Sequence, residues 1–340
     1  MTIDYSIVIP VYCNEGCLVP LTRALYTTVF QTNQKYVGEI VFVDDGSSDG
    51  SFAELRLIQE EFSDLVTLIK LTRNFGQASA LLAGYTHARG KCVISMSADG
   101  QEPPEIVTLM LKEFFEENYE IVICARAGRD ESQYRIITSY LFYSLMRKLT
   151  FKNMPKGGFD FWLLGRGALE VLLRNADVNP FIQGYILWMG FRTKTLTYWR
   201  RERLAGVSGF SFAKKVNGLL AGILQFSFTP IRMMSLAGGI FALLGFLYAT
   251  LIFVDSLLLG NPVKGWSPLM IMVLVIGGFQ MIMLGIIGEY LWRTLAQVRG
   301  RDLYLIDAIH EVKKGLDSPP RSEKQWSRTP TSAICEKKLT

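Results

Sequence analysis

Along the first third of the chain, short apolar runs alternate with longer stretches in which apolar residues recur at helical spacing. The runs at 5–12, 39–43, 66–71, 92–96 and 119–124 are too short for helices and are bounded by turn-forming residues, so they predict five buried strands. Helical spacing predicts helices over 18–31 and 78–88. Strands alternating with helices give an α/β fold with a mostly parallel sheet covered on both faces. The stretch 93–104 anchors this reading: an apolar run meets Asp99, then Gly100, Gln101, Glu102, Pro103 and Pro104. The prolines forbid further ladder pairing, so the run is a strand that ends at a rim.

Four successive strands end in polar clusters: Asn14/Glu15, Asp44/Asp45, Arg73/Asn74 and Asp99/Gln101. A parallel sheet delivers all four to one edge, where open α/β sheets bind ligands. Asp99 and Gln101 offer hard oxygen atoms suited to Mg²⁺ or Mn²⁺. Acids beside arginines suit a metal-bound ligand that carries phosphate. No G-x-x-x-x-G-K-[ST] loop and no G-x-G-x-x-G fingerprint occurs, which disfavours an ATPase and a dinucleotide dehydrogenase. Further on, a basic and aromatic helical region over 132–156 holds Arg135, Arg147 and Lys148. Asp160 then lies between glycines and the aromatic residues Phe159, Phe161 and Trp162; an acid so placed is either a buried structural group or a catalytic one. Arg200, Arg201 and Arg203 lead into Gly206, Ser208 and Gly209, which reads as an oxyanion cradle or as a solvated basic face.

Hydrophobic residues make up 49% of the chain, and the excess lies towards its C-terminal end. The runs 231–254 and 269–287 are each predicted to cross a membrane, for which about 20 apolar residues suffice. Arg200, Arg201, Arg203, Lys214, Lys215 and Arg232 precede the pair, Arg293, Arg299, Arg301, Lys313 and Lys314 follow it, and only Lys264 lies between. That asymmetry predicts a multi-pass protein of the cell (inner) membrane with both termini and the globular domain on the cytoplasmic side. Residues 214–228 predict an amphipathic helix lying in the interface, and the polar chain from about 313 predicts disorder. Glycine pairs Gly238/Gly239 and Gly277/Gly278 permit close helix contact and hence a homo-oligomer. The net charge of +5 is too small to argue for nucleic acid, and basic residues beside apolar segments suit an anionic membrane surface instead. Five scattered cysteines suggest no disulfide framework and a reducing compartment, and Met1 leads into a strand with no signal peptide before it.

Five motifs in order carry a resemblance: Ile-Val-Ile-Pro-Val-Tyr at 7–12, Val-Asp-Asp-Gly-Ser-Ser-Asp at 43–49, Arg-Asn-Phe-Gly at 73–76, Ala-Asp-Gly-Gln-Glu-Pro-Pro-Glu at 98–105 and Gly-Glu-Tyr-Leu-Trp-Arg at 288–293. Together they resemble the membrane-bound family 2 glycosyltransferases of GT-A fold, over about residues 3–305. The nearest subgroup is the polyisoprenyl-phosphate glycosyltransferases, including bactoprenol glucosyltransferases and dolichol-phosphate mannose synthases. The resemblance implies a GT-A glycosyltransferase domain over 1–212, an interfacial helix over 213–230, a two-helix transmembrane hairpin over 231–292 and a C-terminal segment over 293–340. It implies a nucleotide-sugar donor, expected to be a UDP-sugar, contacted by Pro10, Tyr12, Glu15, Asp44, Asp45, Arg73 and Asn74. Asp99 and Gln101 would hold the metal on the donor diphosphate, and Asp160 matches the acid near the reacting centre. Arg126, Arg135, Ser139 and Arg203 would face the diphosphate and the acceptor phosphate. The implied acceptor is a polyisoprenyl phosphate such as undecaprenyl phosphate, taken with inversion at the anomeric carbon for cell-envelope glycan modification.

The chain departs from the family pattern at Ser97, where a first aspartate is usual, at Trp162, where an arginine is frequent, and at Gly209, where a lysine is usual. Two rival readings stand beside the first: transfer to a glycan hydroxyl, and a membrane-anchored binding protein whose metal site has decayed at Ser97. A serine hydroxyl contributes no charge, so the site is expected to hold its cation more weakly and to depend on Asp99. Replacing Asp99 with alanine should abolish metal-dependent transfer, assayed with a panel of nucleotide-sugars; full activity in the variant would overturn the assignment.

Overall fold

The computed structural model describes residues 2–126, 144, 146–147, 150–151, 153–155, 158–177, 180–201, 222, 226, 229–259 and 265–312. Arg135, Ser139, Arg203, most of the 213–230 segment and the tail beyond 312 lie outside the described residues. Eight strands form one sheet: β1 (Tyr5–Val11), β2 (Gly38–Asp44), β3 (Val66–Leu71), β4 (Cys92–Ser95), β5 (Ile121–Arg126), β6 (Phe159–Gly165), β7 (Thr193–Tyr198) and β8 (Ile306–His310). The five strands predicted from apolar runs are present within a residue or two of their expected bounds. Spatial order is β7-β5-β6-β4-β1-β2-β3-β8. β1 pairs in parallel with both β2 and β4, and β2 in parallel with β3. The chain therefore steps outward from β1 to β3 and then crosses back, and β1/β4 is the point where the strand order reverses. β6 runs antiparallel between β4 and β5, and β7 lies parallel to β5 at the edge.

Period-two alternation along the strands feeds two cores. On one face Ile7, Ile9, Phe42, Leu68 and Ile94 pack with α1 (Leu18–Leu25), α2 (Ser51–Glu61) and α4 (Glu105–Phe115). On the other, Val8, Val41, Val43, Ile69 and Val93 pack with α3 (Gln77–His87), α5 (Arg166–Asn175) and α6 (Ile182–Trp188). Each of these fully buried apolar side chains contributes roughly 1.5–3 kcal/mol of transfer free energy. α1 continues as a π-helical turn, Tyr26–Phe30, so the helix expected over 18–31 is present in two parts. Glu39, only 2% exposed, accepts from Ser6 Oγ at 2.7 Å and from the Arg89 amide at 2.8 Å, and is ion-paired with the Arg89 guanidinium. This ties the exit of α3 to β2, and losing one partner of such a pair costs about 3–5 kcal/mol.

Two long helices follow, α7 (Thr229–Leu259) and α8 (Trp266–Arg299), and they touch through Phe241 and Phe279, whose ring centroids are 4.9 Å apart. Within α8, Val275–Arg299 is long and apolar enough to cross a membrane, and its Ile282, Leu284 and Leu291 are exposed. Within α7 the apolar stretch Leu236–Tyr248 is shorter than a span among the described residues. From α8 the chain returns to the sheet. β8 pairs antiparallel with β3, reinforced by Lys70–Asp307 at 3.0 Å, by Gln59 Nε2 donating to the His310 carbonyl at 2.7 Å and by Thr72 N donating to the Leu305 carbonyl at 3.0 Å.

Gly46, just past β2, has φ +67°, and a Cβ there would lie 2.5 Å from the Arg73 carbonyl carbon and 2.7 Å from the Asn74 amide nitrogen. The exits of β2 and β3 can meet this closely only because that residue is glycine. Gly46→Ala should cost about 2 kcal/mol or more and lower the Tm by about 4–8 °C, read by thermal unfolding in detergent. An unchanged Tm would show that the two loops separate freely.

Candidate functional site

β1, β2, β3, β4, β5 and β7 all run the same way, so their carboxyl ends share one edge of the sheet. β6 and β8 run the other way and begin at that edge. The edge therefore gathers Tyr12 to Glu15, Asp44 and Asp45, Arg73 and Asn74, Asp99 to Glu102, Arg126, Asp160, Arg200 and the approach to β8. It contains every described site residue read from the sequence.

The first two loops are laced together by hydrogen bonds. Cys13 N donates to Ser47 Oγ at 3.1 Å, Asn14 N to Ser51 Oγ at 2.8 Å and Glu15 N to Asp49 Oδ2 at 3.3 Å. Glu15, expected to contact a ligand, accepts from the Gly50 amide at 2.9 Å beside the start of α2. Tyr12 stands half exposed at the mouth, and Pro10 lies within β1.

Asp44 and Asp45 are both buried but differently satisfied. Asp45 accepts the Phe75 amide at 2.7 Å and the Gly76 amide at 2.9 Å, using both oxygens on the backbone that leads into α3. Asp44 accepts the Ser47 amide at 3.3 Å, and its Oδ2 has no hydrogen-bond partner among the described residues. Burial raises the carboxyl pKa of both above the ordinary aspartate range. Beyond Asp45, a cavity of about 350 Å³ is lined by Arg73, Asn74, Phe75 and Ser79 and, from the far side, by Arg301 and Asp302. The sequence reading missed that last pair, which comes from the short segment between α8 and β8.

At the end of β4, Gly100 (φ +69°) reverses the chain, and four residues close on one another. Ser97 Oγ donates to Asp99 Oδ1 at 2.8 Å, and the Gln101 amide donates to the same oxygen at 3.3 Å. Gln101 Nε2 donates to the Arg201 carbonyl at 3.1 Å, while Arg201 itself pairs with Glu105 at 2.9 Å. Arg200 reaches within 3.7 Å of Asp99 Oδ2, so this arginine is folded onto the acid rather than left solvated. Glu102, unassigned by the sequence reading, is 1% exposed and contacts Ser97 through both its amide and its hydroxyl. Burial pushes the Glu102 carboxyl up to about 7, with the neighbouring Asp99 charge acting in the same direction.

Asp160 enters from the start of β6, where it forms an ion pair with Arg126 at the end of β5. A register shift between Cys124 and Ala125 lies just before that arginine, the kind of bulge that re-aims a side chain. Trp162 is buried and donates from Nε1 to Tyr85 Oη at 3.0 Å, so it belongs to the core behind the site.

Hard oxygen donors at Ser97, Asp99 and Glu102, with Glu102 Oε1 buried and lacking a partner among the described residues, fit a small divalent cation in chemistry. Among the described residues no three His, Cys, Asp or Glu side chains are grouped so as to hold a metal ion by themselves. Such a donor set suits a cation whose coordination is completed by phosphate oxygens.

Residues 6–173 match the family model described as "Glycosyl transferase family 2". The chain is 33% identical to an uncharacterized glycosyltransferase, YkcC, of Bacillus subtilis over 92% of its own length and 95% of that protein. It is 34% identical to an SfII prophage-derived bactoprenol glucosyl transferase of Shigella flexneri, over 90% of this chain and 98% of that one. Among solved structures, a glucosyl-3-phosphoglycerate synthase from Mycobacterium tuberculosis, in complex with Mn²⁺, UDP and phosphoglyceric acid, superposes with a TM-score of 0.47. The identity there is 15%, and 65% of this chain and 78% of that one are covered.

The contrast between the paired acids is testable without a substrate. In the apo protein at pH 7, Asp44→Asn should raise the Tm, because it removes a buried charge whose environment favours the neutral form. Asp45→Asn should lower it, because an amide NH₂ would face one of two backbone donors, a loss of about 1–3 kcal/mol. Thermal unfolding of the two variants side by side checks this, and a shift of the same sign in both would overturn the distinction.

Proposed function

The chain belongs to glycosyl transferase family 2, and on that premise we propose that it moves a sugar from a nucleotide-sugar onto a polyisoprenyl phosphate at a membrane face. The observation that carries this reading is the meeting of the carboxylate–arginine edge with the end of the apolar helix α8. Arg299 closes that helix, and at Ile306 the chain is already paired in the sheet. The bactoprenol named in the Shigella relative supports a lipid acceptor. The α/β, GT-A-like fold with a mostly parallel sheet agrees with it.

In this reading Pro10, Tyr12, Glu15, Asp44, Asp45, Arg73 and Asn74 form the nucleotide pocket. Asp99 and Gln101 would hold Mg²⁺ or Mn²⁺. When bound with the donor, that cation would neutralise charge on the diphosphate leaving group. Arg126 and the residues Arg135, Ser139 and Arg203 would face the phosphates, and Arg200, beside Asp99, joins them. A lipid phosphate has its second ionisation near about 6 and is largely dianionic at pH 7, so it needs no proton removed before it attacks. Asp160, held by Arg126, would then orient acceptor and sugar. In-line attack would invert the anomeric carbon.

The same reading extends to the membrane. Chain on both sides of α7 and α8 belongs to one sheet, which is compatible with an even number of bilayer crossings. In this reading Val275–Arg299 would make one crossing and α7 the other, with the globular domain and the start of the C-terminal segment on the cytoplasmic side.

Full-length protein incubated with undecaprenyl phosphate, Mg²⁺ or Mn²⁺ and several UDP- and GDP-sugars should yield a lipid-extractable phosphate sugar, β-linked from an α-linked donor. Retention of configuration would overturn the mechanism. Asp160→Asn should reduce turnover by about 10- to 100-fold rather than abolish it. Complete loss in that variant, with transfer to a glycan hydroxyl in wild type, would favour a hydroxyl acceptor.

A further inference from the structure

The lost charge at Ser97 is replaced from within the same turn. Glu102 Oε2 accepts the Ser97 amide at 3.3 Å and meets the Ser97 hydroxyl, which is itself 2.8 Å from Asp99 Oδ1. A single hydroxyl oxygen thus lies against both carboxyl groups. Glu102 is 1% exposed, and its Oε1 has no hydrogen-bond partner among the described residues. Leaving a carboxylate oxygen buried and unsatisfied is costly, and buried charges persist where they are paired or coordinate a metal.

Charge around the turn points the same way. Asp99 and Glu102 supply two acids. Among the described residues, the cations at the turn are Arg200, 3.7 Å from Asp99, and Arg126, which is engaged with Asp160. Arg201 is turned to Glu105. The described groups of the turn thus offer two acids in a set of oxygen donors, and a divalent cation is the chemical complement of such a set. Mg²⁺ and Mn²⁺ bind oxygens at about 2.0–2.2 Å, so two ligands of one ion lie about 3–4 Å apart, a separation that carboxylates sharing a hydroxyl reach by side-chain rotation.

We propose that Glu102 and Asp99 form the carboxylate pair of the divalent-cation site, with the Ser97 hydroxyl lying between them. Glu102 takes the place of the acid that Ser97 does not provide. This assignment rests on the cation-dependent donor site proposed above and adds to it a residue which that reading did not require.

The test is Mn²⁺ binding to the full-length protein in detergent, followed by electron paramagnetic resonance with and without UDP, so that no turnover is involved. Glu102→Gln should weaken Mn²⁺ binding at least tenfold, and adding Ser97→Asp to that variant should restore most of it. Should Glu102→Gln not fold, Glu102→Asp keeps the charge on a shorter arm and should weaken binding about threefold, with the same rescue. Equal Mn²⁺ affinity in wild type and the Glu102 variant overturns the assignment alone, as does weak binding that Ser97→Asp fails to rescue. A wild-type protein that takes up no Mn²⁺ with or without UDP overturns the donor-site reading and this assignment with it.

Discussion

Parallel strands can only leave a sheet from one end, and everything at the working edge of this molecule follows from that constraint. Once β1 has parallel neighbours on both sides, the exits of β1, β2 and β4 lie side by side at the point where the strand order reverses. Antiparallel β6 adds its first residues to the same edge, which is how Asp160 comes to face Arg126 although 34 positions separate them in sequence. The chemistry is thus assembled from six or more loops, each of which needs to place only one or two side chains. The hydrophobic faces on either side of the sheet supply the rigidity that holds those loops in register.

Concentrating polar groups at the edge of a dry core has an energetic consequence. Asp44, Asp45 and Glu102 are all desolvated, and burial raises the pKa of each. A raised folded-state value means that the folded protein binds more protons than the unfolded chain. The stability this contributes is present below the unfolded value and is lost as pH rises through the folded one. Ionising these acids therefore costs the folded protein stability. Backbone amides at the entry to α3 offset it for Asp45. Asp44 and Glu102 each retain an oxygen with no hydrogen-bond partner among the described residues, so their compensation is incomplete in the apo protein. Sites that keep such imbalance are those where a ligand completes the set.

The first five strands and the edge they share were legible because buried parallel strands read as bare apolar runs. β7 was not, because Thr193 to Tyr198 is a half-exposed edge strand whose threonines and lysine look like loop. β8 was hidden for another reason: its five residues follow a membrane-length helix and gain their partners from β3, more than 230 positions earlier. The site residues divide in the same way. An acid at a strand end announces itself, but the sequence does not distinguish one that caps a neighbouring loop, as Glu15 and Asp45 do here, from one that stays open to a ligand. Glu102 was passed over because its burial, and the charges of Asp160 and Arg200 that act on it, arise from tertiary structure that local pattern cannot contain.

β8 also fixes how far the reacting edge can stand from the membrane helix. By pairing with β3 it covers an edge that would otherwise present unpaired backbone groups, and Lys70–Asp307, Gln59 to His310 and Thr72 to Leu305 lock its register. The six residues 300–305 are the whole connection between α8 and that strand. Fully extended, they reach about 20 Å. Within that reach, Arg301 and Asp302 line the cavity whose other wall is Arg73 and Asn74. On the proposed reading, a tether this short, anchored in the sheet at one end and in an apolar helix at the other, would hold the carboxylate–arginine edge near the depth of a lipid phosphate. In the proposed reaction, the acceptor then has to reach the sugar by lateral diffusion within the leaflet alone, while the soluble donor arrives from the open side of the sheet edge.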